Sequence, residues 1–530
     1  MGTDKGSREV NKAAGVVGFF TLMSRILGLV RDMVIARFFG SGTAADAFFV
    51  AFRIPNLLRR LFAEGSLTIA FIPVFTEYLA LKGKRDAMEV ASVVTTLLSL
   101  ILAIVTVVGI LVSPWLVRVQ AFGFGGSGYK YELTVLLTRI MFPYIMLVSL
   151  VALFMGILNS LRHFAAPAAA PILLNAAIIA GAYLISPMLE EPIAGLAIAV
   201  LIGGILQVML QIPWLIKGGF MFRPLWEPLH PAVMRIGSLM LPAIYGSAVY
   251  QVNQFVGTLL ASLLEEGSVS WLYYADRLIQ FPLGVFAIAI STAALPSLAT
   301  HAAEKDLERF RSTFAHALRL VFFITLPSMA GLMVLGDPLI ALFFQRGAFD
   351  SHSTIMTAKA LFFYAVGLWA FSGIRVMVSA FYALQDTRTP VRVATLALVL
   401  NVAFSLLLMN PLKHGGLALS LSLASCVQFL LLGYYLKEKI GRGYMKIIAV
   451  SVGKAFFASA VMGAVLWMLL CFTWEGSSGP GGLKGIILLG GLVGTGAFIY
   501  LLIARLVRSP ELSFVGEVSR FIIRKVAGGR

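Results

Sequence analysis

The sequence has little of what a water-soluble protein needs. Only 13% of its 530 residues are charged, whereas 59% are hydrophobic, and the mean hydropathy is +0.91. A soluble domain could not bury this much apolar surface, so a soluble globular enzyme is excluded. Cysteine is nearly absent: Cys426 and Cys471 lie far apart inside apolar runs, which predicts packing rather than a disulfide framework or a zinc site.

Catalytic motifs are missing as well. The sequence contains no P-loop, no G-x-S-x-G and no H-E-x-x-H pattern, and its six histidines are scattered near connectors. We therefore expect no ATP-driven pump, no membrane hydrolase, and no cofactor or metal. The net charge of +17 would suggest nucleic acid in a soluble protein, but in a membrane protein it first indicates topology, and no nucleic-acid partner is expected.

Long apolar runs account for most of the chain. A transmembrane helix needs about 20 apolar residues, and windows bounded by proline, glycine and charged residues predict fourteen such helices. The predicted spans are 15–39, 44–80, 90–113, 133–160, 164–186, 193–216, 229–263, 270–300, 312–344, 354–384, 391–410, 414–436, 447–473 and 483–506. The predicted fold class is an all-α multi-pass membrane protein with fourteen transmembrane helices.

Basic residues divide unevenly between the two sets of connectors. On the side of the N-terminus, connectors and tails carry 25 lysines and arginines, whereas the opposite connectors carry five, together with a cluster of four glutamates. Cytoplasmic connectors of membrane proteins are enriched in lysine and arginine. The distribution therefore predicts that both termini are cytoplasmic, and its agreement over fourteen alternations supports the number of spans.

Two pairs of segments indicate an internal repeat. Residues 36–55 resemble 261–282, because in both a helix ends, a turn with glycine and serine follows, and the next helix carries an aromatic pair, then an arginine and a proline. A second, shorter similarity relates Pro167 and Asn175 to Pro390 and Asn401. The two matches share a six-helix spacing, so they predict two lobes of parallel topology.

The repeat predicts how the chain is divided. We expect an N-lobe of six spans at 1–217, a C-lobe of six spans at 218–440, and two further helices with a cytoplasmic tail at 441–530. Transporters commonly bind substrate between such lobes. The division therefore predicts a central cavity.

Charged residues inside the predicted spans are the candidates for a binding site, because an ionised residue there costs several kcal/mol unless it snorkels, pairs or faces a water-filled cavity. Their densest group, which also includes the uncharged Asn56, comprises Arg25, Arg31 and Asp32 in span 1, Asp46, Arg53, Asn56, Arg59, Arg60 and Glu64 in span 2, and Asp276 and Arg277 in span 8. Gly28 would let the first two arginines converge on a cavity. Arg319, Lys359 and Lys454, near predicted helix ends, are expected instead to snorkel as anchors.

Two interpretations of this set remain open. In the first, arginines from both lobes line a water-filled cavity and hold an anion, because the parallel N–H donors of a guanidinium match two phosphate oxygens. The excess of arginines over acids favours a dianionic or bulkier headgroup. In the second, the acids neutralise arginines as structural ion pairs, namely Asp32 with Arg31, Asp46 with Arg53, Glu64 with Arg60 and Asp276 with Arg277.

Three stretches carry a family resemblance: SRILGLVRDMVIARFFGSGTAADAFFVAFRIPNLLRRLFAEGSLTIAFIPVFTEY at 24–78, VSWLYYADRLIQFPLGVFAIAISTAALPSL at 269–298 and PLKHGGLALSLSLA at 411–424. They resemble the MurJ (MviN) family of bacterial lipid II flippases, in the multidrug/oligosaccharidyl-lipid/polysaccharide exporter superfamily. The resemblance implies that lipid II, the undecaprenyl-pyrophosphate-linked disaccharide-pentapeptide, moves from the inner to the outer leaflet of the bacterial cytoplasmic membrane by alternating access, for cell wall synthesis. Lipid II and membrane lipids are the partners it implies.

The resemblance also implies roles for residues. The arginines expected to bind the pyrophosphate headgroup are Arg25, Arg31, Arg59 and Arg277. The acids expected to line or gate the cavity are Asp32, Asp46, Glu64 and Asp276, and a secondary cavity set comprises Arg53, Asn56 and Arg60. The last two helices would supply a groove for the polyprenyl tail.

The energy source is a point where this sequence departs from some family members. Those members resemble sodium-coupled transporters with carboxylates in spans 7 and 11, whereas here these spans hold Gln251, Asn253 and Asn401 and no Asp or Glu. The membrane potential offers a substitute, since about 2.3 kcal/mol per charge per 100 mV would yield roughly 4–5 kcal/mol for a pyrophosphate of charge near −2. We therefore hypothesise coupling to the membrane potential.

Three other functions compete with lipid II transport. A cation-coupled multidrug exporter would need carboxylates and aromatic residues for cationic drugs, which the excess of arginine opposes. A membrane enzyme acting on lipid-linked sugars would need a general base and an acidic metal cluster near one membrane face, whereas the acids here alternate with arginines in the spans. A scaffold for cell-wall synthesis would tolerate Arg→Lys changes that bidentate phosphate recognition would not.

Overall fold

The computed structural model describes residues 2–60, 67–474 and 482–512, so that Glu64 lies outside the described residues. In the described ranges the chain is helical and forms no strand. A helix satisfies its backbone N–H and C=O groups within its own segment, which a lipid-embedded backbone requires. The all-helical, multi-pass part of the predicted fold class is confirmed.

The first of two compact units comprises Met1–Ser270 and Arg346–Phe349. Its described helices are α1 (Gly2–Phe39), α2 (Thr43–Leu58), α3 (Thr68–Leu81), α4 (Lys84–Gln120), α5 (Tyr129–Met141), α6 (Tyr144–Ser160), α7 (Ala165–Leu184), α8 (Ala194–Lys217) and α9 (Pro231–Ser262). Phe71 and Phe75 stack in an apolar core with Ile157 of α6. This core joins α3 to α6, while α7 packs against both α1 and α8.

The second compact unit comprises Trp271–Gln345 and Asp350–Arg530. The helices that follow α9 are α10 (Ser268–Pro282), α11 (Ile288–Ala303), α12 (Leu307–Val334), α13 (Gly336–Phe344), α14 (Ser351–Val366), α15 (Leu368–Ala383), α16 (Arg388–Leu412), α17 (His414–Ile440), α18 (Met445–Thr473) and α19 (Gly482–Leu506). A π-helical turn at Leu283–Ala287 separates α10 from α11. It follows Pro282, whose missing N–H removes one helical hydrogen bond.

Ten described helices are long and apolar enough to cross a membrane, and α14 with α15, bent by 43°, would make an eleventh span. The bend lies at Gly367, where an added Cβ would approach Ser422 Cα to 2.8 Å, so α17 packs directly on the backbone there. The other predicted spans, 15–39, 44–80 and 229–263, contain α1, α2 with α3, and α9. By length and composition the described helices thus offer ten or eleven candidate spans, and the count of fourteen stays a prediction.

Helices α18 and α19 pack with α12 of the second unit. Tyr500 of α19 is 4% exposed and donates its hydroxyl hydrogen to the Phe323 carbonyl at 2.6 Å. Arg319 of α12 forms an ion pair with Glu511, with 2.5 Å between Nη2 and Oε1. The chain that follows α19 therefore brings a buried carboxylate to Arg319, while the prediction that this arginine snorkels stays a prediction.

Candidate functional site

Arg31, in the last third of α1, is neutralised by its neighbours in the first unit. Arg31 Nη2 lies 2.7 Å from Asp32 Oδ1, and Arg31 Nη1 donates to Asn175 Oδ1 of α7 at 3.0 Å. Asn175 Nδ2 in turn donates to the Ser24 carbonyl at 3.0 Å. Arg31 is 8% exposed and Asp32 only 1%. A buried ion pair is costly unless its remaining polar groups also form hydrogen bonds. Asn175 accepts one of these bonds and so helps to hold Arg31 in one orientation.

Arg25 lies six residues before Arg31 on the same helix and has a different environment. Its side chain is exposed and makes no ion pair or hydrogen bond within the described ranges. Between them, an added Cβ at Gly28 would lie 3.7 Å from Asn175 Nδ2, an ordinary contact distance. Helix α1 therefore presents one arginine with open donors and one whose donors are engaged.

Asp46, near the start of α2, is buried among donors. Lys130 Nζ lies 2.8 Å from Oδ2, which also accepts from the Gly267 N–H at 2.9 Å. Ser270 donates to Oδ1 from its N–H at 2.9 Å and from its hydroxyl at 2.6 Å. The cation that neutralises Asp46 is Lys130, so within the described residues the ion pair considered between Asp46 and Arg53 does not form.

Glu266 also forms hydrogen bonds with the start of α2. Its Oε1 accepts hydrogen bonds from the Thr43 N–H at 2.6 Å and from the Thr43 hydroxyl at 2.5 Å. The hydroxyl contact outweighs desolvation and lowers the pKa of Glu266. Carboxylates are also favoured at helix N-termini. Asp46 and Glu266 together fix the connector before α10 to the first turn of α2.

The second half of α2 and the two residues after it carry the other predicted basic residues. Arg53 donates to the Gln254 carbonyl at 3.2 Å and, through a shorter contact, to the Thr258 hydroxyl, both on α9. Arg59 Nε donates to Asn56 Oδ1 at 3.1 Å. Arg60 is exposed at the helix surface. Arg53 thus links α2 to α9, and Asn56 binds the side chain of Arg59 three residues later.

Arg277 of α10, in the second unit, rests against an aromatic ring. Its Cζ lies 4.5 Å from the Tyr273 ring centroid, and Nη2 donates to the Tyr273 hydroxyl at 2.5 Å. Its neighbour Asp276 accepts from Gln280 Nε2 at 3.3 Å. One turn of α10 therefore orients the guanidinium through a cation–π contact and a hydrogen bond.

Three residues outside the predicted site set contact members of that set. Asn175 positions Arg31, Lys130 neutralises Asp46, and Tyr273 orients Arg277. Asn175 and Tyr273 both belong to the repeated segments, which is the sequence signal that could have identified them. Lys130 gives no such signal, because it lies in a connector far from α2 in the chain.

The geometry provides guanidiniums and ammonium groups suited to an anion, and comparison with known proteins identifies the family. The model of the family described as lipid II flippase MurJ matches residues 35–479. The chain belongs to the MurJ family. It is 38% identical to a probable lipid II flippase MurJ of Vibrio cholerae serotype O1, over 96% of this chain and 99% of that protein. It is also 38% identical to the lipid II flippase MurJ of Burkholderia cenocepacia, over 88% and 91% of the two chains.

Solved structures agree with the MurJ assignment. The match to a lipid II flippase MurJ in an inward closed conformation has a TM-score of 0.77 at 27% identity and covers 92% of this chain and 98% of that one. An inward-facing multidrug resistance MATE family transporter of the MOP superfamily, at 16% identity, gives a TM-score of 0.69 over 82% and 99% of the chains and shows a shared fold alone. As a MurJ family member, the chain is a lipid II flippase, a transporter rather than a catalyst.

Proposed function

We propose that the chain moves lipid II by alternating access and grips its pyrophosphate with Arg25, Arg31, Arg59 and Arg277. The family match over 35–479 carries the proposal, since it names the transported lipid. The arginine chemistry supports it: guanidinium donors pair with two phosphate oxygens at once and keep their charge at every cellular pH. Arg25 is exposed with open donors, which suits first contact with the headgroup.

The acids in this proposal regulate access to the arginines. Asp32 occupies two donors of Arg31, at 2.7 and 3.0 Å, so an incoming phosphate must compete with it. Asp46 and Asp276 serve as gating acids in the same scheme, as does Glu64, and Arg53, Asn56 and Arg60 form a secondary set. The exchange of Asp32 for a phosphate would keep the Arg31 guanidinium paired throughout the cycle.

The membrane arrangement is part of the proposal. Fourteen spans, with both termini in the cytoplasm of a bacterium, accommodate the ten or eleven apolar candidates together with α1, α2 with α3, and α9. In this arrangement 1–217 and 218–440 are two lobes around a central cavity, and 441–530 supplies a groove for the polyprenyl tail. Exposed apolar side chains of α18 and α19, among them Phe456, Trp467 and Phe498, support that last role.

A leaflet-accessibility assay tests the transport function. Cells depleted of this protein and complemented with the unaltered chain should expose lipid II at the outer leaflet, whereas Arg277→Ala should leave it inside. Arg392→Ala, which removes an exposed arginine of α16, is the matched control and should transport normally. Normal lipid II exposure with Arg277→Ala at equal protein level would contradict the proposed binding site.

Membrane potential is the proposed energy source and has its own test. Outward movement of a pyrophosphate of charge near −2 gains roughly 4–5 kcal/mol per 100 mV of inside-negative potential. Collapsing the potential in vesicles at constant pH and sodium should therefore slow lipid II export. Unchanged export under these conditions would refute the coupling while leaving the identity of the substrate intact.

A further inference from the structure

A cavity of about 400 Å³ opens beside α18 in the second unit and uses none of the residues proposed to bind lipid II. Its lining residues are Arg319, Lys446, Ile447, Val450, Ser451, Lys454 and Pro510. They come from α12, from the first turns of α18 and from the chain that follows α19. Three of the seven are basic, which is an unusual composition for a membrane-protein cavity with no assigned ligand.

The inner wall of the cavity is fixed by a buried carboxylate. Glu511 is 3% exposed and accepts from Arg319 Nε at 2.7 Å, from the Ser451 hydroxyl at 2.5 Å and from the Ser509 hydroxyl at 2.6 Å. Desolvation would raise its pKa, but these hydrogen bonds outweigh desolvation and lower the pKa of Glu511. The carboxylate therefore stays charged and neutralises Arg319, so the wall is rigid and close to neutral.

The two lysines keep the cavity positive. Lys454 Nζ donates to the Arg508 carbonyl at 3.0 Å, a neutral acceptor that leaves its charge uncompensated and two N–H groups available. Lys446 is exposed at the rim and has no carboxylate partner within the described ranges. The lining therefore carries a surplus of two positive charges.

The outer rim of the cavity is apolar between these charges. Lys446, Val450 and Lys454 follow one another at intervals of four residues and so share one face of α18. Ile447 and Val450 are 54% and 53% exposed. An anion that also carries alkyl chains would satisfy both the lysines and this apolar rim, whereas a soluble anion would satisfy only the lysines.

We propose that this cavity binds the phosphate headgroup of an anionic phospholipid of the cytoplasmic leaflet, with the acyl chains along Ile447 and Val450. Basic pockets between transmembrane helices on the cytoplasmic side are suited to such headgroups, and nearby lysines each strengthen binding. Only the choice of leaflet rests on the proposed orientation. The site would anchor α18 and the chain after α19 to the membrane surface.

Lipid binding to the purified full-length protein tests the site. Native mass spectrometry in neutral detergent measures retention of phosphatidylglycerol, with zwitterionic phosphatidylethanolamine as the reference lipid. The double substitution Lys446→Gln/Lys454→Gln should weaken phosphatidylglycerol binding about 30-fold, since each lysine contributes about a factor of five. Lys84→Gln/Arg85→Gln, which removes the same charge from exposed positions of α4, should change it less than twofold.

Two further variants separate charge from folding. Lys446→Arg/Lys454→Arg keeps the charge and should retain phosphatidylglycerol, while Val450→Asn keeps both lysines and the net charge and should still reduce binding. Thermal unfolding and gel filtration verify that each variant is folded. Equal lipid binding by the unaltered chain and the folded Lys→Gln variant, or an equal loss in the α4 control, would overturn the proposal.

Competition identifies the occupant. Inorganic phosphate should not displace phosphatidylglycerol at equal concentration, and a polyprenyl pyrophosphate should not displace it in a lysine-dependent manner. Displacement by the first would make the site one for soluble anions, and displacement by the second would assign it to the transported lipid, so either result overturns the proposal. Arg277→Ala should bind phosphatidylglycerol normally, which distinguishes failure here from failure of the proposed transport site.

Discussion

Arg31 in the first unit and Arg277 in the second are both proposed to bind the same pyrophosphate, but their surroundings differ. Arg31 is buried and engages Asp32 and Asn175 through three different guanidinium nitrogens. Arg277 lies over the ring of Tyr273 and donates to its hydroxyl. A carboxylate neutralises charge, whereas a tyrosine ring orients a cation without removing its charge.

The surroundings of Arg31 and Arg277 represent two ways in which a protein can hold an arginine that binds an anion. A guanidinium paired with a carboxylate is stable in a buried position, but a phosphate must displace the carboxylate to bind. A guanidinium held on an aromatic ring is oriented before a ligand arrives, which lowers the cost of binding. We therefore expect changes at Arg31 to affect both folding and transport, and changes at Arg277 to affect mainly transport.

The largest effect is expected for Arg31→Ala. Removing this guanidinium leaves Asp32 buried at 1% exposure without its cation, which should lower the free energy of unfolding by about 3–5 kcal/mol. Thermal or denaturant unfolding in detergent measures the loss. Transport of lipid II should fall as well, because a headgroup donor is gone.

A double substitution tests whether the two consequences of Arg31→Ala are separable. Arg31→Ala/Asp32→Asn removes the unpaired charge and should recover most of the stability while transport remains low. Recovery of lipid II export together with stability would show that Arg31 is only a structural partner of Asp32. Arg31 and Arg277 would then differ in function as well as in their surroundings.

A smaller effect on stability and a clear effect on transport are expected for Arg277→Lys. Lysine keeps the positive charge but loses the planar pair of donors that matches two phosphate oxygens. Loss of one charged hydrogen bond, about 1.5–3 kcal/mol, corresponds to a decrease in lipid II export of roughly 10- to 100-fold. Arg375→Lys, on α15 of the same unit, is the control. Export unaffected by Arg277→Lys would contradict recognition of the pyrophosphate by the paired donors of Arg277.

The sequence predicted the helical regions well because apolar runs and their breaks are local properties. Each predicted span contains one helix or a broken pair, and breaks fall at residues such as Pro282 and Gly367. The alternation of basic connectors is also a local property of the sequence. It predicts the side of the membrane on which the termini lie, whereas the fold alone does not define where the membrane is.

The partners of the charged residues were less predictable because they depend on tertiary packing. The pair Arg31–Asp32 was among the predicted alternatives, yet Asp46 pairs with Lys130, 84 residues away in the chain. Arg319 likewise pairs with Glu511, 192 residues later, a partner that the sequence did not indicate. A single sequence gives the cost of burying a charge and not the identity of the distant group that offsets it.

The smallest effect is expected for Tyr273→Phe, which removes the hydroxyl but keeps the ring under Arg277. The lost hydrogen bond, 2.5 Å long in the structure, should cost about 0.5–1.5 kcal/mol, so lipid II export should fall roughly 2- to 10-fold while the cation–π contact persists. Tyr382→Phe, at an exposed position of α15, is the control. Export lost as completely as with Arg277→Ala would mean that the hydroxyl, rather than the ring, holds the guanidinium in place, and Arg277 would then resemble Arg31 in depending on one oxygen partner.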